Sequence, residues 1–375
     1  MKIAYCYPET LPSRKARSIQ VVNTCRALAG EVEQVFLYLP RGKYDAGQIF
    51  NHYHMEHPAN LRVRFLRKSF GPFSSHRLYN LFLAPALKQD RPDLVFTRHV
   101  QTGEFLLGQQ WPLLYEAHEI FAEKKGAADS DRISEEKVLK NAGGVIFISQ
   151  GLRSALADIH TLPPRTAVVP SGAGRIASLA EKGAEPEVVN RFVYVGTTRY
   201  AWKGVGTLLE ALALLPEQYT LEIAGELDRK LSSLDAVRSL IRQGRLICHG
   251  HLDPPRVFSL LKNARVAVIP NSAGDRISAR FTSPLKLIEA LGAAVAVVVS
   301  DLPSMREIVS EHEAVFVRPD DPASLAAGIA KVMADAVLRR SLAEKGWRRA
   351  EEFTWRNRAR KIVSLAEKVL AGSPG

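Results

Sequence analysis

Cysteine is scarce in this chain of 375 residues: Cys6, Cys25 and Cys248 are scattered and odd in number. Such spacing excludes a disulfide framework and fits reduced, packed thiols in a cytosolic protein. Long apolar runs are missing as well. The longest, 290–299, falls short of the roughly 18 residues that a membrane-spanning helix requires. The amino-terminal MKIAYCYP lacks the apolar stretch of a signal peptide and reads as a first strand. There is no GxSxG nucleophile elbow and no Walker phosphate loop. His52, His54 and His57 form an HxHxxH run, but it precedes a strand as a loop and lacks a further ligand of fixed geometry. No metal site is assigned to it.

What is present is ordinary for a soluble globular protein: 46% hydrophobic and 24% charged residues. The length suffices for two domains, each with its own core. The formal net charge of +12 is unevenly placed. Residues 1–77 hold 12 Lys and Arg against 5 Asp and Glu, a local excess of 7, with Arg14, Lys15, Arg17 and then Arg62, Arg64, Arg67, Lys68 as clusters. Such a patch suits an anionic partner, a lipid headgroup layer or a phosphorylated acceptor; read as a solvated basic face it needs none. Nucleic acid is disfavoured, because no binding module and little interleaved aromatic surface accompany the charge.

Apolar segments at 2–7, 35–39, 61–66, 94–97, 113–116 and 145–148 alternate with helix-like stretches, the rhythm of βα units stacked around a parallel sheet. Between the first two, 18–29 places Val21, Val22, Cys25, Leu28 and Ala29 on one helical face. Residues 171–190, rich in Gly, Ala and charge, interrupt the pattern. It restarts at 191–195, 219–224, 245–249, 266–269, 293–299 and 314–317. The expected fold is α/β, with two doubly wound Rossmann-like domains facing each other across a cleft: 1–172, a linker at 173–189, and 190–354. Ligands of such sheets bind beyond the carboxyl ends of the strands. From Pro322 the tail is helical, with Phe353, Trp355 and Ile362 spaced for docking.

The densest signal is 281–306, FTSPLKLIEALGAAVAVVVSDLPSMR. Ser283 suits a helix N-cap and Pro284 the first helical position, so free backbone N–H groups and the positive dipole end can seat a diphosphate. Glu289, about one and a half turns in, reaches the hydroxyls of a ribose whose phosphates rest on the helix start. The run 293–299 reads as a strand buried on both faces. Upstream, VYVGTTRYAWKG at 193–204 gives a strand, Gly196, and a loop with Arg199 and Lys203 leading into a helix at 205–215. Two cations beyond a strand's carboxyl end can neutralise a departing diphosphate. IAGE, with Gly225 and Glu226, and CHGH, with His249 and Gly250, put glycines at strand ends, for close backbone approach or merely for a turn. LLYEAHE places His118 just past a strand end, and FTRH places His99 after the strand before it.

Together these segments resemble the retaining family 4 glycosyltransferases (glycosyl transferases group 1), which have the GT-B fold. Residues 281–306 are similar to the family's E-x7-E nucleotide-sugar motif, and Ser300, Asp301, Leu302, Pro303, Arg306 and Glu307 match its SDLP…RE ending. Phe281 stands where the first glutamate is more frequent, which places the chain with the SPLKLxE variant. Residues 193–204 resemble the VGxLxxxKG stretch, matching Gly196 and Lys203, with Arg199 at a shifted spacing. Pro270 and Asn271 match the lPS loop, and 113–119 the vxtxHd loop. The resemblance implies donor phosphates on Arg199, Lys203 and the Ser283, Pro284, Leu285, Lys286 turn. It implies base and ribose contacts from Gly225, Glu226, His249 and Gly250, a ribose carboxylate at Glu289, and His118 on the transferred sugar. Arg14, Lys15, Arg17 and His99 are acceptor-side candidates, since the loop 8–18 reads PETLPSRKARS where relatives carry adjacent glycines. The last helix, 355–375, is expected to cross back to the first domain.

The reading is a cytosolic, metal-independent retaining glycosyltransferase, peripheral at the inner membrane face. It would take a UDP- or GDP-linked sugar as co-substrate, with no separate cofactor, and a glycan or lipid-linked hydroxyl acceptor in glycan, lipopolysaccharide or glycolipid synthesis. Retention in this family is explained by same-face attack, with the leaving phosphate taking the acceptor proton, and no paired carboxylate acid and nucleophile stands out in the sequence. Two rivals stay open: a nucleotide-sugar epimerase of the same shape, and a non-catalytic anion or membrane-surface binding protein, for which Phe281 speaks.

Overall fold

The computed structural model describes residues 1–13, 15–70, 73–123, 126–182 and 190–372. The chain divides into two compact units, Met1–Gly172 together with Trp355–Gly375, and Ala173–Thr354.

In the first unit, β1 (Lys2–Cys6), β2 (Gln34–Pro40) and β3 (Leu61–Leu66) are followed by a small antiparallel pair, β4 (Ser69–Phe70) and β5 (Phe73–Ser74). Then come β6 (Leu94–Thr97), β7 (Leu113–Ala117), β8 (Gly144–Phe147) and β9 (Thr166–Val168). Seven of these form a parallel sheet in the order β3-β2-β1-β6-β7-β8-β9. The winding direction therefore reverses between β1 and β6, where Ile3 sits beside Leu94. Helices cover both faces, which is why these strands read as unbroken apolar runs. Tyr5, Leu37, Phe96 and Ile146 form a core with Cys25 and Leu28 of the helix Ala16–Ala29. Ile362, Leu365 and Val369 of the last helix, Trp355–Ala371, complete it.

The second unit carries β10 (Arg191–Val195), β11 (Thr220–Ala224), β12 (Leu246–Cys248), β13 (Val266–Ile269), β14 (Ala296–Ser300) and β15 (Ala314–Val317). All are parallel, in the order β12-β11-β10-β13-β14-β15. Its reversal lies between β10 and β13. One face is filled by Phe192, Leu208, Leu221, Val298 and Ile329, the other by Val193, Leu287, Leu291, Val297 and Met305.

Several expectations are corrected. The strand expected from 293 begins only at Ala296, because residues 293–295 form a buried turn with Ala294 at φ 53°. Small apolar residues buried in a turn have the same pattern as a core strand. β9 was not foreseen: three half-buried residues give too little periodicity. Cys6 and Cys25 are buried, but Cys248 is exposed rather than packed. Residues 173–182 of the expected linker pack on the second unit. There Ala173 N–H donates to the Phe353 carbonyl at 2.9 Å, and the Arg175 guanidinium lies 3.7 Å over the Trp347 ring. Residues 183–189 lie outside the described residues. The HxHxxH run is spread over separate contacts: His57 stacks on Phe50 and bonds the Leu61 carbonyl, while His52 meets Tyr53 edge-on.

Candidate active site

In the second unit the loops after β10, β11 and β13 are locked together at the point where the winding reverses, the place where doubly wound sheets hold ligands. Two glycines make this possible. Gly204 has φ 68°, and a Cβ there would lie 1.7 Å from the Pro270 carbonyl oxygen, so the loops after β10 and β13 touch backbone to backbone. At Gly225, with φ 155°, a Cβ would lie 2.0 Å from the Gly196 oxygen, which joins the loops after β10 and β11. The buried Thr198 hydroxyl ties them further, donating to the Glu226 carbonyl at 2.8 Å and accepting from Asp228 N–H at 2.7 Å. Ser272 N–H donates to the Trp202 carbonyl at 2.9 Å, and the Ser304 hydroxyl to the Ser278 carbonyl at 2.7 Å. Thr198 and Trp202 escaped sequence reasoning, since neither residue type marks such a role by itself.

This scaffold brings Lys203, Lys286 and Glu289 into one neighbourhood. Lys203 is half-buried, with its ammonium 4.0 Å from the Trp202 ring centre. Burial, and then the nearby Lys286 charge, push its pKa down to about 8. No carboxylate pairs with Lys203 among the described residues. Lys286 is bridged to Glu289 at 2.8 Å on the same helix face. Arg199 differs from expectation: it is exposed and 3.3 Å from Glu226, so the two expected donor contacts already neutralise each other in part. His249 Nε2 lies 2.7 Å from the buried Glu222 carboxylate, which also bonds Arg191, while the His249 backbone N–H donates to the Ile223 carbonyl at 2.9 Å and Gly250 is bridged to Gly225.

The helix start is shifted by one residue. The helix is Leu285–Gly292, with Pro284 at the cap and no side-chain cap bond, so Ser283 is not the N-cap. Phe281 ends the short turn Ile277–Phe281, is buried, and has the Arg276 guanidinium 5.4 Å above its ring. The buried Asn271 follows Pro270 as the sequence motif requires.

In the first unit, Glu116 on β7 is a fully buried carboxylate. Burial, the largest influence, would raise its pKa, but Arg358, bonded to it from the last helix, together with His118 and Arg98 holds it well below the usual range. Arg358 also donates to the carbonyls of Val169 and Pro170, at 2.8 and 2.9 Å. His118 Nε2 lies 3.1 Å from Glu116 Oε1, yet the geometry falls short of a hydrogen bond. Burial and then Arg98 lower the His118 pKa to about 4, so the ring is neutral near pH 7. The next turn is fixed by the buried Glu135, whose carboxylate accepts from Phe121 N–H and Ala122 N–H at 2.9 and 3.1 Å. His99 caps the helix Val100–Leu107, its Nδ1 accepting from Thr102 N–H at 3.3 Å. Arg17 is paired with Glu9 at 3.0 Å, and Lys15 is exposed at the start of its helix. Arg14 lies outside the described residues.

Residues 189–335 match the Glycosyl transferases group 1 family. That match covers the second unit's paired loops and the Lys203, Lys286, Glu289 neighbourhood. The phosphatidyl-myo-inositol mannosyltransferase of Mycobacterium tuberculosis is 29% identical over 209 residues, 52% of this chain and 52% of its own length. The chain thus spans about half the length of that relative. Among solved structures, the sucrose-phosphate synthase of Thermosynechococcus elongatus superposes with a TM-score of 0.76 at 19% identity, covering 99% of this chain and all of its own. Anabaena HepE, solved with UDP and glucose, gives 0.72 at 18% identity, covering 98% of this chain and 100% of its own. The fold is the two-domain GT-B type, built of parallel Rossmann-like sheets.

Proposed function

We propose that the protein is a metal-independent retaining glycosyltransferase that moves a sugar from a nucleoside diphosphate to a hydroxyl of a glycan or lipid-linked acceptor. The observation that carries this is Lys203: a half-buried ammonium without a carboxylate partner among the described residues, its pKa depressed toward 8, beside Lys286 of the helix Leu285–Gly292. A buried cation lacking its counter-charge is unfavourable in the empty protein and favourable once an anion arrives. A departing diphosphate is such an anion.

In this reading the bond from the sugar's anomeric carbon to the phosphate oxygen breaks as the acceptor oxygen bonds that carbon on the same face. The acceptor proton passes to the leaving phosphate, whose growing charge Lys203 and Lys286 stabilise. Glu289 holds the ribose hydroxyls. His118 is assigned to the transferred sugar on its motif match, and as a neutral ring it acts by hydrogen bonding rather than as an acid. The UDP bound by HepE and the lipid inositol named for the mycobacterial relative support a nucleotide-sugar donor and a glycolipid acceptor here. Lipopolysaccharide or glycolipid synthesis at the inner membrane face is the setting that suits this reading.

The buried Phe281, where family members more often have a glutamate, favours one rival: a protein that binds nucleotide without turnover. Calorimetric titration of UDP and GDP, with a donor-hydrolysis assay over their sugars, separates the readings. Glu289→Ala and Lys203→Ala are each expected to cost about 1.5–3 kcal/mol of nucleotide affinity, roughly 10- to 150-fold. Unchanged affinity for every nucleotide in both variants would sink the donor assignment. Full affinity with no turnover of any donor would favour the non-catalytic reading.

A further inference from the structure

The first unit has its own winding reversal, between β1 and β6, and there Pro8, past β1, and His99, past β6, meet Lys68 and His76 in a basic cluster that the donor chemistry does not use. Lys68 is held there twice. Its Nζ donates to the Pro8 carbonyl at 2.6 Å, beyond β1, and its own carbonyl accepts from Ser75 N–H at 3.0 Å, which closes the base of the β4–β5 hairpin. That closure sets His76 at the start of the helix His76–Asp90, with its ring 4.3 Å from the ring of His99, which follows β6. Arg17, carrying its partner Glu9, borders the same group.

The hydrogen-bonding capacity of this cluster is unspent. His99 Nδ1 accepts from Thr102 N–H, so the proton of the neutral ring sits on Nε2 and is a free donor. His76 Nδ1 is buried and has no partner. Lys68 uses one of its three N–H donors on Pro8. Burial and then the neighbouring positive charges lower both histidines, His99 to about 3. Lys68 is lowered by burial as well, with Glu9 acting in the opposite sense. Asp131 and Glu9 are the acidic groups that act on His76; Glu9 is committed to Arg17, and Asp131 accepts from Gln101. What remains is two further N–H donors on the Lys68 ammonium and unused ring positions on His76 and His99, whose rings lie 4.3 Å apart.

We propose that Lys68, His76 and His99 bind a phosphate-class oxyanion carried by the acceptor. Calling the ligand an acceptor rests on the glycosyltransferase reading above; binding of the anion does not. Lys68 supplies the charge and the two imidazoles supply directed hydrogen bonds, the combination that distinguishes a phosphate ester from an uncharged glycan hydroxyl. The source of the oxyanion is either a soluble phosphate ester or a phospholipid headgroup, and the chemistry at the cluster is the same.

The test is calorimetric titration of the full chain with glycerol phosphate, alongside sedimentation with phosphatidylglycerol and phosphatidylcholine vesicles. Saturable glycerol phosphate binding is expected, weakened about tenfold or more by Lys68→Met and severalfold by His76→Asn. UDP affinity and melting temperature should stay unchanged in both variants, which shows that they fold. These two positions are chosen because His99 also caps a helix. Loss of phosphatidylglycerol vesicle binding in Lys68→Met identifies a lipid headgroup; loss of glycerol phosphate binding alone identifies a soluble ester. Absence of saturable binding, or binding that Lys68→Met leaves intact, overturns the proposal. Since UDP binding is read in the same samples, failure here is distinguishable from failure of the donor reading.

Discussion

Lys203 holds its charge where solvent and counter-charge are both reduced. Its folded pKa of about 8 lies below the ordinary lysine value of 10.5. A bound diphosphate pulls that value back up. Below pH 8 the ammonium is already charged and nucleotide affinity is insensitive to it; above pH 8 each complex must take up a proton. Affinity then falls by as much as about tenfold per pH unit. Titrating UDP between pH 7 and 9.5 should show this break in the wild type and a flat, weaker profile in Lys203→Met. A break that survives the substitution would assign the proton elsewhere. The same shift acts on stability in the opposite direction: the unfolded lysine keeps its proton longer, so stability from this group rises as pH passes from 8 toward 10.5. The lysine and its following glycine were legible in the sequence, since Gly204 is needed where two loop backbones meet. The pairing of Arg199 with Glu226 was not, because residues that far apart meet only once β10 and β11 lie side by side.

At the scale of elements, the last helix is bound to the first unit by more than its apolar stripe. Arg358 sits on its buried face, bonded to Glu116 and to two carbonyls beyond β9. Arg358→Met should cost about 3–5 kcal/mol, since it leaves a carboxylate buried and unpaired. Adding Glu116→Gln should recover part of that loss. Urea midpoints of the first unit's transition measure both, and a double variant no more stable than the single would show that Glu116 is not the source of the penalty. A helical tail was legible from 322 onward, and Ile362 from its spacing. Arg358 was not, because an arginine in a helix surrounded by Arg356, Arg360 and Lys361 reads as solvent-facing. Pattern likewise could not separate the turn at 293–295 from the strand after it, as both are small, apolar and fully buried.

For the whole molecule, net charge is a poor guide to where positive field is available. Of the clusters in the first 77 residues, Arg17 is paired with Glu9 and Arg64 with Asp90, and Arg67 lies 5.9 Å from the Phe82 ring. Among the described members, Lys15 and Arg62 are exposed to solvent, while Lys68 is half-buried and tied to the Pro8 carbonyl. Among the described residues no helix is long and apolar enough to cross a membrane, so attraction to an anionic surface would rest on such local groups and weaken with salt. The alternation of strands and helices made both sheets legible, because covered parallel strands leave unbroken apolar runs. The order of strands within each sheet, and therefore which loops meet, required the structure.

The chain passes out of the first unit after Gly172 and returns at Trp355, and these two residues touch: a Cβ on Gly172 would lie 2.5 Å from the Trp355 ring. Ala173 and Thr354, the next residues inward, are bridged to each other. The second unit is thus an insertion whose ends meet at its own base, and such modules can be cut out without opening a core. Residues 173–354 expressed alone are expected to melt cooperatively and to bind UDP as the full chain does, while residues 1–172 rejoined to 355–375 through a short turn keep glycerol phosphate binding. Failure of the excised piece to fold would mean that the insertion borrows stability from its host. In evolutionary terms, a module whose two chain ends lie side by side can be exchanged without cutting the core of the unit that carries it.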